Sequence, residues 1–187
     1  DVAFSQTFAC RLSEGSNIDL SSIQTTVHIG AHCDAPSHYI ENGESIESRD
    51  LDYYYGDAQV IHVDITQGER IMPSDIVDEI KAPRVLFATQ SMPDPNHFNM
   101  DFCALSPEVV HYLADRNVVL VGIDTPSVDP AKSKALESHN AVAKRNLAIL
   151  EGIILSHVPA GIYTLSAFPL RIHGADASPV RAVLIQK

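Results

Sequence analysis

Basic residues are scarce in this sequence: 13 Lys and Arg stand against 24 Asp and Glu, for a net charge of −11. An acidic surface of that size repels phosphate backbones and anionic lipid, which argues against nucleic acid and membrane as partners. Long hydrophobic runs are missing too. Nothing approaches the ~18 consecutive apolar residues of a spanning helix, and no signal-peptide pattern opens the chain. Cysteine is limited to Cys10, Cys33 and Cys103, an odd number without CxxC spacing. Such usage points to reduced thiols in a cytoplasm and away from a disulfide framework. Repeats, low-complexity tracts and Gly/Ser linkers are also absent, so residues 1–187 read as a single domain.

What is present is an ordinary globular composition, 45% hydrophobic and 20% charged, long enough to bury a real core. Residues 17–29 (NIDLSSIQTTVHI) alternate, with Ile23, Thr25, Val27 and Ile29 on one face, and read as a strand. Residues 58–65, 84–88 and 118–123 are short buried-strand candidates. Ser74 before DIVDEI, and Ser106 followed by Pro107 and Glu108, carry helix-start chemistry. Strand and helix thus interleave over 58–123, the pattern of an α/β domain. The tail, 161–185, reads as two further strands around the loop HGADASP.

The nine histidines are unevenly spread. His28, His32 and His38 fall in one short segment, HIGAHCDAPSH, together with Asp34. Ile29 stands where the helical zinc-protease motif needs glutamate, and Gly30 and Pro36 disfavour a helix. In extended chain, side chains two apart share a face, so His32 and Asp34 point one way and Cys33 the other, into the core as a small hydrophobe. Gly30 lets the backbone turn so that His28 joins them. Imidazole and carboxylate at this spacing suit Zn²⁺, with Mn²⁺ or Fe²⁺ as further fits. A lone histidine is more often structural, but this cluster bounded by Gly and Pro reads as a metal site. Taken alone, His139 reads as structural. So does Glu151, although a carboxylate ending the apolar run LAIL needs a partner, which a metal would supply.

These residues together resemble a known family. The segment His28-x-Gly30-x-His32-x-Asp34-Ala35-Pro36-x-His38 resembles the signature of the metal-dependent cyclase superfamily, which includes kynurenine formamidases and isatin hydrolases. The stretch GIDTPSVDP (122–130), then His139, then ILEG (149–152), and finally GADASPVRAVL (174–184) look like its bacterial kynurenine formamidase branch. The resemblance spans essentially the whole chain. It implies a single α/β domain of the swivelling β/β/α kind, assembled as a homodimer. It also implies two divalent ions per chain, with His28, His32 and Asp34 on the first. Asp34 and Glu151 would bridge to a second that His139 completes, and His38 would be the acid/base residue. The implied activity, in tryptophan catabolism, is hydrolysis of N-formyl-L-kynurenine to kynurenine and formate by metal-activated water. Alternatives are an isatin hydrolase-like or other small amide or lactam hydrolase, a polyketide cyclase-like reaction, and a non-catalytic metal-binding protein. The family also carries a longer N-terminal segment with a tryptophan that packs on the substrate ring. This sequence has no tryptophan and opens at what looks like the middle of that segment, so part of the segment is expected to be missing and the substrate pocket is only partly legible.

One geometric demand follows. In a continuous helix, residues twelve apart lie ~18 Å apart along the axis, too far for His139 and Glu151 to share a centre. The sequence therefore predicts a short helix near 139–145, a break at about Asn146, and an extended return to Glu151.

Overall fold

A computed structural model describes residues 2–186. Twelve strands and two α-helices follow in chain order: β1 (Ser5–Cys10), β2 (Leu20–Gln24), β3 (His32–Asp34), β4 (Tyr55–His62), β5 (Arg70–Ile71), β6 (Arg84–Ala88), β7 (Ala104–Leu105), α1 (Pro107–Ala114), β8 (Leu120–Ile123), α2 (Glu137–Arg145), β9 (Ala148–Glu151), β10 (Gly161–Ser166), β11 (Ala177–Pro179) and β12 (Val183–Gln186). Eight of these strands form one mixed sheet in the order β11-β3-β9-β8-β6-β4-β10-β12. Its centre, β9-β8-β6-β4, is parallel, and antiparallel strands flank it on both sides. Only residues 180–182 separate β11 from β12, the two edge strands. Four extended chain steps reach at most ~14 Å, so the sheet must curl until its edges nearly meet.

The parallel strands are continuous apolar runs because both their faces are covered. Val85, Phe87, Val121, Ile123 and Ile149 pack under the two helices against Val109, Val110, Leu113, Ala141 and Val142. The alternate residues, Leu86, Ala88, Leu120, Ala148 and Leu150, face the inside of the curl with Cys33, Ile153 and Leu165. This is the α/β fold anticipated from the sequence. The strand at 84–88 and the Ser106-capped helix form as expected, with Ser106 Oγ accepting from the Val109 amide at 3.0 Å.

Other local expectations need correction. The strand expected over 17–29 shrinks to β2, which pairs only with β1 in an exposed hairpin. Thr26 Oγ1 accepts from the His28 amide at 3.3 Å and bends the chain out of extension before the histidines begin. No α-helix follows Ser74. A single 3₁₀ turn spans Pro73–Asp75, and Ile76 is already extended. The reason is tertiary: Gln59 on β4 accepts from the Lys81 amide at 2.7 Å and donates to the Glu79 carbonyl at 2.9 Å. Those backbone groups are thereby withdrawn from any helical ladder. The strand expected at 58–65 begins and ends three residues earlier, and that at 118–123 starts at Leu120. The tail holds three strands: β10 and β12 pair with each other, whereas β11 joins β3 on the opposite edge.

Candidate metal centre

Two adjacent strands and the loop before them deliver the first group of side chains. β3 places His32 and Asp34 on one side and Cys33, fully buried, on the other. Glu151 ends the neighbouring β9 as the direct register partner of His32. Gly30, at φ +57°, turns the chain so that His28 comes back over Asp34. A side chain at Gly152, itself at φ +64°, would meet the Gly30 carbonyl at 2.3 Å. That close approach holds the His28–His32 loop against the end of β9.

His139 arrives from the helix side. α2 ends at Arg145, Asn146 is left-handed (φ 51°, ψ 44°), and β9 runs back to Glu151. The break anticipated at Asn146 is therefore present, and Asn146 Oδ1 accepts from Arg49 at 3.2 Å. The start of α2 has no local cap, since Leu136 occupies the cap position in a left-handed conformation. Asp129 takes over that role from ten residues upstream. Its carboxylate accepts the amides of Ser138 and His139 at 3.0–3.1 Å and the His139 Nδ1–H at 2.8 Å. Arg70 on β5 donates to Asp129 at 3.0 Å and secures it in turn.

All five ligand candidates and His38 converge. His28 Nδ1 and His32 Nε2 lie 3.1 and 3.4 Å from Asp34 Oδ1, and His139 Nε2 lies 3.5 Å from Asp34 Oδ2. Glu151 reaches His32 Nε2 at 3.2 Å and His139 Nε2 at 3.8 Å, while accepting the Val128 amide at 2.6 Å. The outer nitrogen of each imidazole has its own acceptor: Asp176 for His28 (3.0 Å), the Gly30 carbonyl for His32 (2.8 Å) and Asp129 for His139. Second-sphere bonds of this kind fix the tautomer and turn the free nitrogen toward a cation. His38 sits at the rim with its Nδ1 3.3 Å from Asp176 Oδ2 and its ring 4.2 Å from that of His28.

The donor set fits a metal on a direct observation. Both carboxylate oxygens of Asp34 are buried and lack a hydrogen bond, although three ring nitrogens face them. A buried carboxylate left so is costly unless a cation completes it. Three overlapping triads, His28-His32-Asp34, Asp34-His38-His139 and His28-His38-Asp176, each bring ligand atoms within 4.8 Å of one another. Without a cation, protons take its place. Burial would lower the imidazoles of His28 and His139, but the facing carboxylates outweigh it and hold them up at about 9 and about 10. Burial would raise Asp34, yet His139 and His28 keep it well below the usual carboxylate range.

Sequence reasoning missed three groups. Asp129 and Asp176 stand behind the imidazoles, and the Tyr39 ring lies 5.0 Å from that of His139. Their only sequence signal was membership of GIDTPSVDP, HGADASP and the residue after His38. Among the described residues, no helix is long and apolar enough to cross a membrane.

The chain is similar to several solved structures. A solved structure described as a "potential metal-dependent hydrolase with cyclase activity" is 29% identical, covers 96% of this chain and 85% of its own, and superposes with a TM-score of 0.81. A "predicted metal-dependent hydrolase" from Bacillus stearothermophilus is likewise 29% identical, at 97% and 86% coverage and a TM-score of 0.80. Isatin hydrolase A from Labrenzia aggregata, at 22% identity, shares the fold over 98% of this chain and 84% of its own, with a TM-score of 0.81. The model of the family described as "Putative cyclase" matches residues 2–130, and the chain belongs to that family.

Proposed function

We propose that the protein is a metal-dependent amidohydrolase that cleaves N-formyl-L-kynurenine to L-kynurenine and formate. The observation that carries the reading is the orphaned, buried Asp34 carboxylate ringed by imidazoles whose outer nitrogens are already engaged. Two divalent ions, Zn²⁺ first and Mn²⁺ as an alternative, would be held by His28, His32, Asp34, His139 and Glu151, with Asp34 and Glu151 shared. Bound there, such ions supply Lewis acidity and a water of lowered pKa.

The remaining work falls to side chains. Water adds to the formyl carbon, the C–N bond breaks, and the aromatic amine leaves only if its nitrogen gains a proton. His38, more exposed than the proposed ligands, donates that proton. Asp176 accepts from His38 Nδ1 and so directs the other ring nitrogen to the substrate. The reading includes a cytoplasmic homodimer. The homodimer is supported by apolar side chains left uncovered on and beside the β1–β2 hairpin, among them Phe4, Phe8, Leu20 and Ile23.

The test is hydrolysis of N-formyl-L-kynurenine by purified protein with and without chelator, alongside isatin. Chelator-sensitive release of kynurenine is expected. Cleavage of isatin in preference, supported at present by a fold likeness alone, would assign the site to lactam hydrolysis instead.

A further inference from the structure

The curl of the sheet encloses a cavity of about 1240 Å³ that opens onto the His28–Glu151 cluster. Its wall is largely apolar, with Met92, Phe98, Pro126 and Ile153 among the contributors. Of all the residues lining it, Arg181 is the one Lys or Arg. Its position is set by backbone: Pro179 is the register partner of His32, and the Val180 amide donates to the Ala31 carbonyl at 2.8 Å. Arg181 is the next residue, in the three-residue seam between the two edge strands. It therefore follows directly on the backbone that is bonded to the His28–His32 loop.

Among the described residues no carboxylate lies within ion-pair distance of the Arg181 guanidinium, and no hydrogen bond engages it. Arg49, Arg70 and Arg145 differ in being tied down, by Glu44, by Asp129 and Glu137, and by Asp115 respectively. The cavity's own carboxylates are committed elsewhere. Asp124 accepts from the Thr89 and Gln90 amides at 2.9 and 2.8 Å, and Glu151 belongs to the ligand cluster. In a chain of net charge −11, a carboxylate group docking in this site meets repulsion unless a local cation offsets it. A guanidinium presents a planar fork of N–H donors matched to a carboxylate.

We infer that Arg181 is the substrate-carboxylate anchor of this cavity, so that the site takes aromatic amides bearing a free carboxylate in preference to those lacking one. This rests on the proposed hydrolase reading and narrows it. N-formyl-L-kynurenine carries an α-carboxylate remote from its formamide, whereas isatin carries none.

The experiment is equilibrium binding by calorimetry to the metal-loaded protein, using L-kynurenine and its primary amide, which differ by one charge. Wild type binds the carboxylate form about tenfold or more tighter than the amide. Arg181→Gln brings the two ligands within about threefold of each other, and Arg181→Lys falls between, keeping the charge but not the fork. The anchor is overturned if wild type shows no preference, if it fails to bind the carboxylate form, or if Arg181→Gln keeps the wild-type preference. Hydrolysis of N-formyl-L-kynurenine is scored separately. An Arg181-dependent preference without hydrolysis removes the proposed reaction and leaves the anchor. Hydrolysis with a preference indifferent to Arg181 does the reverse.

Discussion

The site has an inner ring and an outer ring, and they differ in exposure more than in composition. The side chains of Asp34, Glu151, His32 and His139 are 1–4% exposed, whereas those of His28, His38 and Asp176 are 22, 35 and 47% exposed. Both rings consist of imidazole and carboxylate. Buried, such groups need a cation and rigid second-sphere bonds; at the rim they remain accessible to substrate and solvent. On the proposed reading, identical residue types are sorted by depth, the inner ring to hold metal and the outer ring to move protons, with His28 bridging the two.

The sharpest way to break that division is Asp34→Asn, which removes the carboxylate facing three imidazoles. Metal content and hydrolysis are expected to vanish together, as read by elemental analysis and turnover. Retention of both metals would remove Asp34 from the centre of the account. The rim should respond differently. His38→Ala is expected to keep its metals and to lose about 10²-fold or more in turnover, the share of a general acid. Collapse of metal content in that variant would move His38 into the inner ring.

A paired comparison of the positioning carboxylates gives smaller effects. Asp129→Asn, behind inner His139, should weaken metal affinity by about 10–100-fold, and it should lower the melting temperature because Asp129 also caps α2. Asp176→Asn, behind outer His38 and partly exposed His28, should shift the pH profile of turnover while weakening metal affinity less than Asp129→Asn, because it leaves the acceptors behind His32 and His139 intact. Equal loss of metal in both variants would erase the distinction between the rings.

The mildest consequence concerns metal-free protein. His28 and His139 carry folded-state values near 9 and 10, above the 6.5 of an unfolded histidine. Their protonated forms therefore stabilise the fold fully below about pH 6.5, and that contribution is lost as pH rises through 9–10. Chelated protein should lose thermal stability over pH 7–10, while metal-loaded protein should hold it. Parallel curves would show that a cation does not replace these protons.

Half of the inner ring, His32 and Asp34, was legible in the sequence because it obeys local rules, whereas His139 and Glu151 read alone as structural and entered only through the family resemblance. The period of two along β3 put His32 and Asp34 on one side and Cys33 on the other. Asn146, a residue tolerant of the left-handed conformation, marked where α2 had to stop for His139 and Glu151 to meet. What was not legible depends on distant partners. The acceptors behind His28 and His139 lie 148 and 10 residues away, and no periodicity reports such bonds. The helix expected after Ser74 failed for the same reason: Gln59 claimed its backbone from another strand. The strand expected over 17–29 failed for a local one, as a Thr26 side-chain bond bent the chain before the first histidine.

Metal stoichiometry tests the central claim most directly. Elemental analysis of protein titrated from the chelated state should give close to two divalent ions per chain, with hydrolytic activity appearing in step with loading. Full activity at one ion per chain, or activity that survives complete removal of metal, would contradict a shared centre built on Asp34 and Glu151.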